Sequence, residues 1–389
     1  MIYVNVATSN IRGFLKNLFD YPFQKIKFVY ENNTVYEVPK VTRKLLSKGI
    51  KLKVFDILGV YQIVDAESMK EDISFSYNRF LKTKKPYIIL LENPSALVNY
   101  CWDRPKYRIA RRKLKNCFQD TALYEIVCMS RACYDSLNHL YNFMDLSEVV
   151  NISQIYPLVI EDISFSQQDM KARCYCGTVE CLFVSSDYLL KGGRDILFAF
   201  RELEKKNIPI HLTLITRLQS IPKEDFEEIQ SMRTISFQEF NLSKKELDEY
   251  YKKAAVLVYP TRHDSYSLVV LEAIKYGEAV VGTDVYAIRE MVHDGENGYL
   301  KSPMFCSWME NGLPDRSDVK YRKKYFYTGI LDEALIEWMI EKLISLAENR
   351  DELYRMNCNS FRIARNEDFS QKEIIDKWEA LISKAAKKH

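Results

Sequence analysis

The chain has 389 residues, 47% of them hydrophobic and 28% charged, with a formal net charge of only +3. This length exceeds one ordinary core, so we predict two domains of a soluble globular protein. Nine scattered cysteines do not suggest a disulfide framework, and no apolar run reaches the roughly 18 residues of a spanning helix. The N-terminus lacks a signal-peptide pattern, so we expect a cytoplasmic protein, with the inner face of the plasma membrane left open.

Short apolar runs alternate with amphipathic stretches, which is typical of βα units around a parallel sheet. Residues 2–6 are left open as a leading strand. In the first half we predict helices near 37–48 and 69–83, and strands at 26–30, 52–55, 87–91 and 124–128.

A second alternating series begins near residue 181. The weakly periodic segment 156–179 is interpreted as a connection between domains, and 302–328 as a polar insertion. We predict strands at 181–184, 211–215, 234–237 and 255–258, and terminal helices near 331–347, 350–365 and 370–386.

Charge is unevenly distributed. Residues 1–157 hold 23 Lys and Arg against 15 Asp and Glu, whereas the remainder holds 33 against 38. A basic first half would attract an anionic surface or substrate.

Residues 256–273 read as a buried strand closed by Pro260, a polar loop, and a helix that begins near Leu268 with Ser267 as its cap. Asp264 lies in the loop and Glu272 in the first turns of the helix. A helix N-terminus suits phosphate, and carboxylates accept hydrogen bonds from sugar hydroxyls. A diphosphate flanked by two polyols is a nucleotide sugar.

A second segment, residues 184–193, reads as a strand, a loop with Lys191 and Gly192, and then a helix. The apolar face of that helix holds Ile196, Leu197, Phe200 and Leu203. A lysine beside a helix opening can meet a diphosphate as a point charge.

These segments resemble the donor site of retaining glycosyltransferases of family 4. In that family a proline and serine precede Glu-Gly-Phe-Gly-Leu, and a second glutamate follows eight residues after the first. Here Asp264 stands for the first glutamate, Tyr266 for the phenylalanine, Ser265 and Ser267 for the glycines, and Glu272 is kept. The similarity continues through 277–300.

The resemblance implies an α/β protein of the GT-B fold: two Rossmann-like domains with a cleft between them and a C-terminal helix crossing back. We place an acceptor domain at 1–157, a nucleotide-sugar donor domain at 158–366 and the helix, with Trp378, at 367–389.

The resemblance also implies roles in the donor site. Lys191 and Gly192 match the family's Arg-x4-Lys-Gly element, with Ser186 in place of its arginine. Lys191, Asp264 and Glu272 would be catalytic, holding the diphosphate, the transferred sugar and the ribose. Each residue also has a structural interpretation: Lys191 as a solvated loop lysine, Asp264 as a helix-capping aspartate, and Glu272 as a glutamate that stabilises the helix dipole. Further donor contacts would come from Ser265, Tyr266, and the N–H groups of Ser267 and Leu268.

Several further candidates are open. Arg217 and Phe237 could line the nucleobase, and His263 is either a base or a polar loop residue. Glu92 and Asn93 stand where the family has a histidine, or they form a strand-end turn. We read Ser130 as structural. No Asp-x-Asp occurs and Cys174, Cys176 and Cys181 lack a second zinc pair, so we predict no metal.

A basic cluster lies near residue 108. It could rest on anionic lipid, hold a polyprenyl-diphosphate acceptor, bind nucleic acid, or be a solvated helix face. Its members are Arg104, Lys106, Arg108, Arg111, Arg112, Lys113 and Lys115.

We therefore predict a metal-independent retaining glycosyltransferase with no cofactor. It would move a sugar from a nucleoside diphosphate, UDP rather than GDP, to a lipid-linked or growing cell-surface saccharide. One alternative is a non-catalytic GT-B-like subunit that binds substrate or a partner glycosyltransferase. A nucleic-acid-binding protein is the third class, and no recognition motif favours it.

Overall fold

The computed structural model describes residues 1–8, 11, 13–30, 52–61, 63–66, 70–314 and 326–387. Two compact units are present. Unit 1 contains Met1–Leu158, Asn311–Leu313 and Gln371–His389, and unit 2 contains Val159–Glu310 and Pro314–Ser370.

The described part of unit 1 is built on a six-stranded parallel sheet in the order β2-β1-β4-β6-β7-β8, with a separate parallel pair of β3 and β5. Strand β6 is buried along its whole length because elements cover both faces of the sheet. The strands are β1 Ile2–Val6, β2 Ile26–Val29, β3 Ile63–Asp65, β4 Ile73–Tyr77, β5 Phe80–Lys82, β6 Tyr87–Leu91, β7 Leu123–Cys128 and β8 Asn151–Gln154.

The C-terminal helix α13 (Gln371–Ala386) belongs to unit 1, as the GT-B resemblance implied. Its Trp378 is buried, with the ring centroid 5.8 Å from that of Phe75 in β4. The other helices of this unit are α1 Gly13–Phe19, α2 Lys53–Leu58, α3 Arg108–Phe118 and α4 Arg131–Leu140, with 3₁₀ turns at Pro94–Val98 and Arg104–Lys106.

Two predictions in this half are wrong. Residues 52–55 are not a strand but enter helix α2, which ends at Gly59 with a positive φ of 60°. A short run with three apolar residues fits either structure, and here the glycine closes a helix. The helix predicted near 69–83 is replaced by β4 and β5, because Ile73, Phe75 and Tyr77 follow the period of two of a strand. The helix predicted at 37–48 lies outside the described residues.

In unit 2 the described strands form a six-stranded parallel sheet in the order β11-β10-β9-β12-β13-β14. The chain fills one side of β9 with two strands and then returns to the other side. This is the Rossmann order 3-2-1-4-5-6. The strands are β9 Val179–Val184, β10 Ile210–Thr216, β11 Ile235–Glu239, β12 Val256–Tyr259, β13 Ala279–Thr283 and β14 Gly298–Lys301.

Helices cover the sheet of unit 2 through one continuous core. The apolar face predicted for residues 196–203 is buried in it, and the three predicted terminal helices are present. The predicted connection at 156–179 contains a helix, α5, which Ser166 and Asp169 cap. The helices are α5 Gln167–Cys174, α6 Gly193–Lys205, α7 Lys223–Ser231, α8 Lys244–Lys253, α9 Leu268–Lys275, α10 Ile288–Met291, α11 Glu333–Glu348 and α12 Arg350–Asn366, with a 3₁₀ turn at Leu218–Ser220.

Candidate functional site

The strand order of unit 2 locates the candidate site. Strands β9 and β12 are neighbours, and the chain leaves them in opposite directions along the sheet. In open α/β sheets ligands bind at the carboxyl ends of such a pair, where the order reverses. The loops that follow these two strands are 185–192 and 260–267, the two segments that the sequence singled out.

Gly192 brings the two loops together. Its φ is +77°, and a Cβ atom built on it would lie 2.3 Å from the carbonyl oxygen of Pro260. Any side chain would therefore collide with the neighbouring loop as well as strain the backbone. Close approach of this kind lets the preceding residue, Lys191, reach across.

Lys191 bonds directly to the second loop. Its Nζ donates to Oδ2 of Asp264 and to the carbonyl oxygen of His263, both at 2.6 Å. The ammonium also lies 5.7 Å from the ring centroid of Tyr259. Lys191 and Asp264 side chains are each only 16% exposed, so this ion pair is shielded from most of the solvent.

The carboxylate of Asp264 is fully engaged in the loop. Oδ2 accepts hydrogen bonds from Lys191 and from the Tyr259 hydroxyl at 2.8 Å, and Oδ1 accepts the N–H groups of Ser265 at 2.9 Å and Ser267 at 3.1 Å. Burial acts to raise the pKa of Asp264, but Lys191 and the hydroxyl outweigh it and hold the pKa at about 2. Four donors leave little acceptor capacity for sugar hydroxyls. Both N–H groups belong to the loop that precedes α9, so Asp264 stabilises that loop, and its role toward the donor sugar stays a prediction.

The N-terminus of α9 differs in one respect from the prediction. The predicted side-chain cap by Ser267 is wrong: the residue has a left-handed φ of 70° and its hydroxyl makes no cap hydrogen bond. Its own N–H is taken by Asp264 and its carbonyl accepts from Val270 and Leu271. Among the described residues, no carbonyl or side chain accepts a hydrogen bond from the N–H groups of Leu268 and Val269, so the helix end still offers two donors to an anion.

Glu272 lies one turn further along α9 and faces helix α8. Its Oε2 accepts a hydrogen bond from the Tyr251 hydroxyl at 3.0 Å, and Oε1 lies 3.7 Å from Nζ of Lys244. Burial raises the pKa of Glu272, and the nearby Lys244 ammonium opposes that rise. One carboxylate oxygen therefore keeps acceptor capacity for a diol.

The remaining donor-site candidates of unit 2 are scattered. Ser186 is exposed and Tyr266 is buried. Arg217 is exposed, with its guanidinium 6.0 Å from the ring centroid of Phe240. Phe237 packs against Phe226 of α7, with the two rings nearly perpendicular and their centroids 5.2 Å apart.

The candidate residues of unit 1 mostly make hydrogen bonds within unit 1 that stabilise local structure. Asn93 is buried and its Oδ1 caps the 3₁₀ turn by accepting the N–H of Ser95 at 3.0 Å. Glu92 is half-buried and accepts a hydrogen bond from the Tyr77 hydroxyl. Ser130 caps α4 by accepting the N–H of Cys133 at 3.0 Å, in line with its structural interpretation.

The predicted basic cluster loses one member. Arg104 is completely buried, where its Nε donates to Oδ1 of Asp56 at 3.0 Å and its guanidinium also contacts the Val60 carbonyl. It is an internal ion pair and not a surface charge. The other members are exposed: Lys106, Arg108, Arg111, Arg112, Lys113 and Lys115.

Trp308 is a site residue that sequence reasoning missed. Its indole Nε1 donates to the carbonyl oxygen of Asp264 at 2.6 Å, and its ring stacks on His263 at 5.8 Å and on Tyr286 at 4.3 Å. It thereby holds the backbone of the loop that carries Asp264. Trp308 lies in the insertion at 302–328, and the only signal for it was a tryptophan in a polar segment.

Two buried ion pairs fix the surroundings of the loop. Arg262 donates to Oδ2 of Asp195 in α6 at 2.6 Å, and burial raises the pKa of Asp195 to about 6 although Arg262 opposes this. At the other end of α9, Nζ of Lys275 donates to Glu161 at 2.7 Å and to the Phe369 carbonyl at 2.8 Å. Burial lowers the pKa of Lys275 to about 8. The loop and the helix are thus anchored on both sides.

Sequence comparison links this region to sugar transfer. Residues 178–304 match the family model described as glycosyl transferases group 1. An uncharacterized glycosyltransferase of Methanocaldococcus jannaschii is 22% identical over 324 residues, covering 77% of this chain and 80% of that protein. The GtfA subunit of the UDP-N-acetylglucosamine–peptide N-acetylglucosaminyltransferase of Streptococcus pneumoniae is 30% identical over 140 residues, covering 35% of this chain and 22% of that protein.

Solved structures share the architecture of the whole chain. HepE of Anabaena, in complex with UDP and glucose, has a TM-score of 0.58 at 13% identity and covers 99% of this chain and 100% of its own. The chain has the GT-B fold. Pneumococcal GtfA, in complex with UDP and GlcNAc, has a TM-score of 0.53 at 16% identity over 77% of this chain and 57% of that chain. The protein spans little more than half of GtfA's length, and the group 1 match together with the GT-B fold supports a glycosyltransferase.

Metal ligation and membrane spanning can be considered for the described residues of this GT-B protein. In the part of the chain that the structure describes, no three His, Cys, Asp or Glu side chains are grouped so as to hold a metal ion. Among the same residues, no helix combines the length and the apolar composition of a membrane span.

Proposed function

We propose that the protein is a retaining glycosyltransferase that takes a sugar from a nucleoside diphosphate donor, with UDP preferred over GDP, and transfers it to a hydroxyl of a saccharide. The observation that carries the proposal is the position of Lys191 at the switch point of the unit 2 sheet, bonded to the loop that opens α9. An ammonium and a helix N-terminus together suit a diphosphate.

The chemistry asked of these residues is positioning and charge stabilisation. Cleavage of the bond between the sugar and the diphosphate leaves negative charge on the departing phosphate oxygen. The Lys191 ammonium and the N–H groups of Leu268 and Val269 would stabilise that charge. With retention, the departing oxygen can receive the acceptor's proton on the same face, so no strong side-chain base is required. Glu272 would accept hydrogen bonds from the ribose hydroxyls.

Metal independence belongs to the same proposal. The chain has no Asp-x-Asp sequence, and the candidate site supplies its positive charge through Lys191 and a helix end. Activity that is unchanged in excess EDTA would support it, and activity restored only by Mg²⁺ or Mn²⁺ would contradict it.

The acceptor we propose is a lipid-linked or growing cell-surface saccharide. The GtfA relative is a peptide N-acetylglucosaminyltransferase subunit, so a protein acceptor is the comparison to include in any screen.

Two observations favour a second function. The Lys191 ammonium is already neutralised by Asp264, whose oxygens are occupied, and Ser186 replaces the family's arginine. A non-catalytic subunit that binds substrate or a partner glycosyltransferase would tolerate this arrangement.

A donor screen separates the two functions. UDP- and GDP-sugars are tested for binding by calorimetry and for hydrolysis, with Lys191→Ala and Glu272→Ala as site variants. Lys206→Ala, an exposed lysine at the end of the same α6, is the matched control. The transferase predicts hydrolysis of one donor that both site variants lose and the control keeps. Binding without turnover favours the non-catalytic subunit, and wild-type binding by both site variants would refute the site.

A further inference from the structure

A second ion pair joins the same two segments as Lys191 and Asp264, with the opposite polarity. Arg262, two residues before Asp264, donates to Oδ2 of Asp195, the third residue of α6, at 2.6 Å. The two side chains are only 3% and 1% exposed. In the first pair the loop after β12 supplies the anion, and in the second it supplies the cation. The two segments are therefore bridged twice.

The backbone of Arg262 is bound on both sides. Its N–H donates to the carbonyl oxygen of Leu190, the neighbour of Lys191, at 3.4 Å. Its carbonyl oxygen accepts the N–H of Ser307 at 3.2 Å. Ser307 adjoins Trp308, whose indole donates to the backbone of the same loop. Arg262 thus connects three segments of the candidate site.

Asp195 has a partner at each carboxylate oxygen. Oδ2 accepts from Arg262, and Oδ1 accepts the N–H of Asp332, the N-cap residue of α11, at 3.0 Å. The ion pair therefore ties the loop to the starts of two helices, α6 and α11.

Stability alone does not require these charges. Apolar residues of similar volume often replace a buried ion pair without loss, because the desolvation of two charges offsets most of their attraction. What a guanidinium and a carboxylate add is a restricted geometry of distance and angle. Two residues from Asp264, that restriction fixes where the loop places this carboxylate and the Lys191 ammonium bonded to it.

We propose that Asp195 and Arg262 are positioning residues for the nucleoside diphosphate: their ion pair holds the loop 260–267 so that Lys191 and the N-terminus of α9 meet the diphosphate together. Both side chains act through the loop and not by touching the donor. The inference rests on the proposed function and adds the residues that prepare its site. Breaking the pair would let the loop move, and a misplacement of about 1 Å can cost about a hundredfold in rate.

The ion pair should respond to pH. Burial, together with the Asp332 carboxylate, raises the pKa of Asp195 to about 6, although Arg262 opposes this. Above about pH 6 the carboxylate is ionised and pairs with Arg262, and as pH falls through this value it takes up a proton and the ion pair is lost. The charged and titratable groups beside Asp195 or its neighbour Tyr188 come from both loops and from α6, α7 and the start of α11, namely Arg262, Arg194, Asp225 and Asp332.

The test compares wild type with Asp195→Asn/Arg262→Gln, which removes both charges and puts an amide in each place. The affinity for UDP, measured by calorimetry at pH 7.5, should fall about tenfold. The ratio of the two affinities should shrink to about twofold at pH 5, because wild type has then lost the same ion pair. Titration of UDP and of Glu272 is common to both proteins and cancels in this ratio. Hydrogen exchange of the N–H groups in 260–267, measured without UDP, should be about tenfold faster in the variant.

Arg201→Gln/Glu228→Gln is the matched control. Arg201 of α6 and Glu228 of α7 form another arginine–carboxylate pair at 2.5 Å, and its neutralisation should change none of these quantities. Asp195→Leu/Arg262→Met is a second variant that folds without the buried charges and should show the same losses. Circular dichroism at both pH values verifies that each protein is folded.

The outcomes separate this inference from the proposed function. Wild-type UDP affinity in a folded variant, unchanged exchange of the loop, or an affinity ratio that is equal at pH 5 and pH 7.5 would overturn the positioning role and leave the proposed function intact. Absence of UDP binding by wild type would instead contradict the proposed function, and this role with it.

Discussion

The ion pair between Lys191 and Asp264 gives a quantitative prediction. The pKa of Asp264 is held at about 2, against 3.8 for an ordinary aspartate. At about 1.36 kcal/mol for each pKa unit, the native surroundings stabilise the ionised carboxylate by about 2 kcal/mol. Asp264→Asn keeps the shape but removes the charge, so we expect the free energy of unfolding at pH 7 to fall by about that amount.

The pH dependence has a defined sign. Since the folded pKa lies below the unfolded one, the stabilisation is complete above about pH 5 and is lost as pH falls toward 2. The difference between wild type and Asp264→Asn should therefore be constant from pH 7 to pH 5 and shrink below pH 4.

Urea unfolding followed by circular dichroism measures both quantities. Asp376→Asn is the matched control, because Asp376 pairs with Lys372 at 2.5 Å on the exposed face of α13 and such pairs contribute about 0–1 kcal/mol. A loss below about 0.5 kcal/mol for Asp264→Asn, or a difference that persists unchanged at pH 3, would refute the reasoning.

Three further predictions concern the same loop and helix. Burial raises the pKa of Glu272 above its ordinary value, so affinity for the UDP-sugar donor, measured by calorimetry, should fall as the pH is lowered from 7.5 and the carboxylate takes up a proton, and Glu272→Gln should abolish this dependence. Trp308→Phe keeps the ring but removes the N–H donated to the Asp264 carbonyl, so donor affinity should fall about fivefold, with a larger loss for Trp308→Ala. Ser267→Gly relieves a left-handed φ of 70° and should raise the free energy of unfolding by up to about 1 kcal/mol.

Each of the three predictions would be contradicted by a specific result. The Glu272 assignment is wrong if the glutamine variant keeps the wild-type pH profile. Wild-type affinity in Trp308→Ala would show that the loop needs no indole. Ser265→Gly is the control for Ser267→Gly, because the φ of Ser265 is not positive. Glycine at 265 should therefore lower the free energy of unfolding by about 0.4–1 kcal/mol. Equal effects of the two glycines would contradict the strain argument.

Sequence alone determined the elements whose signal is local. The strands that end before residues 185 and 260 are short, apolar and β-branched, and the helices that follow begin at a glycine or a serine. Each segment by itself predicted a phosphate-binding helix end, and the resemblance to family 4 implied that Lys191 and the opening of α9 form one site. Such signals survive because neighbouring residues produce them, whatever the rest of the chain does.

Other features depended on residues that are distant in the chain. Three apolar residues within 52–55 led to a wrong strand prediction, because a run this short also fits a helix, and here the helix ends where Gly59 packs against Ala110. Arg104 looked like its basic neighbours until burial beside Asp56 separated it from them. The period of two in 73–77 was hidden inside a longer helical pattern until β1 and β6 enclosed that strand.

The candidate site divides in the same way. The sequence identified the loop residues and the helix end, because backbone chemistry at a helix N-terminus is a local property. In the tertiary structure the Asp264 carboxylate oxygens accept hydrogen bonds from Lys191, Tyr259 and two N–H groups. Trp308, 44 residues further along the chain, donates to the backbone of the same loop. Those contacts join segments with no shared pattern, so only packing, which selects partners by space and charge, could specify them.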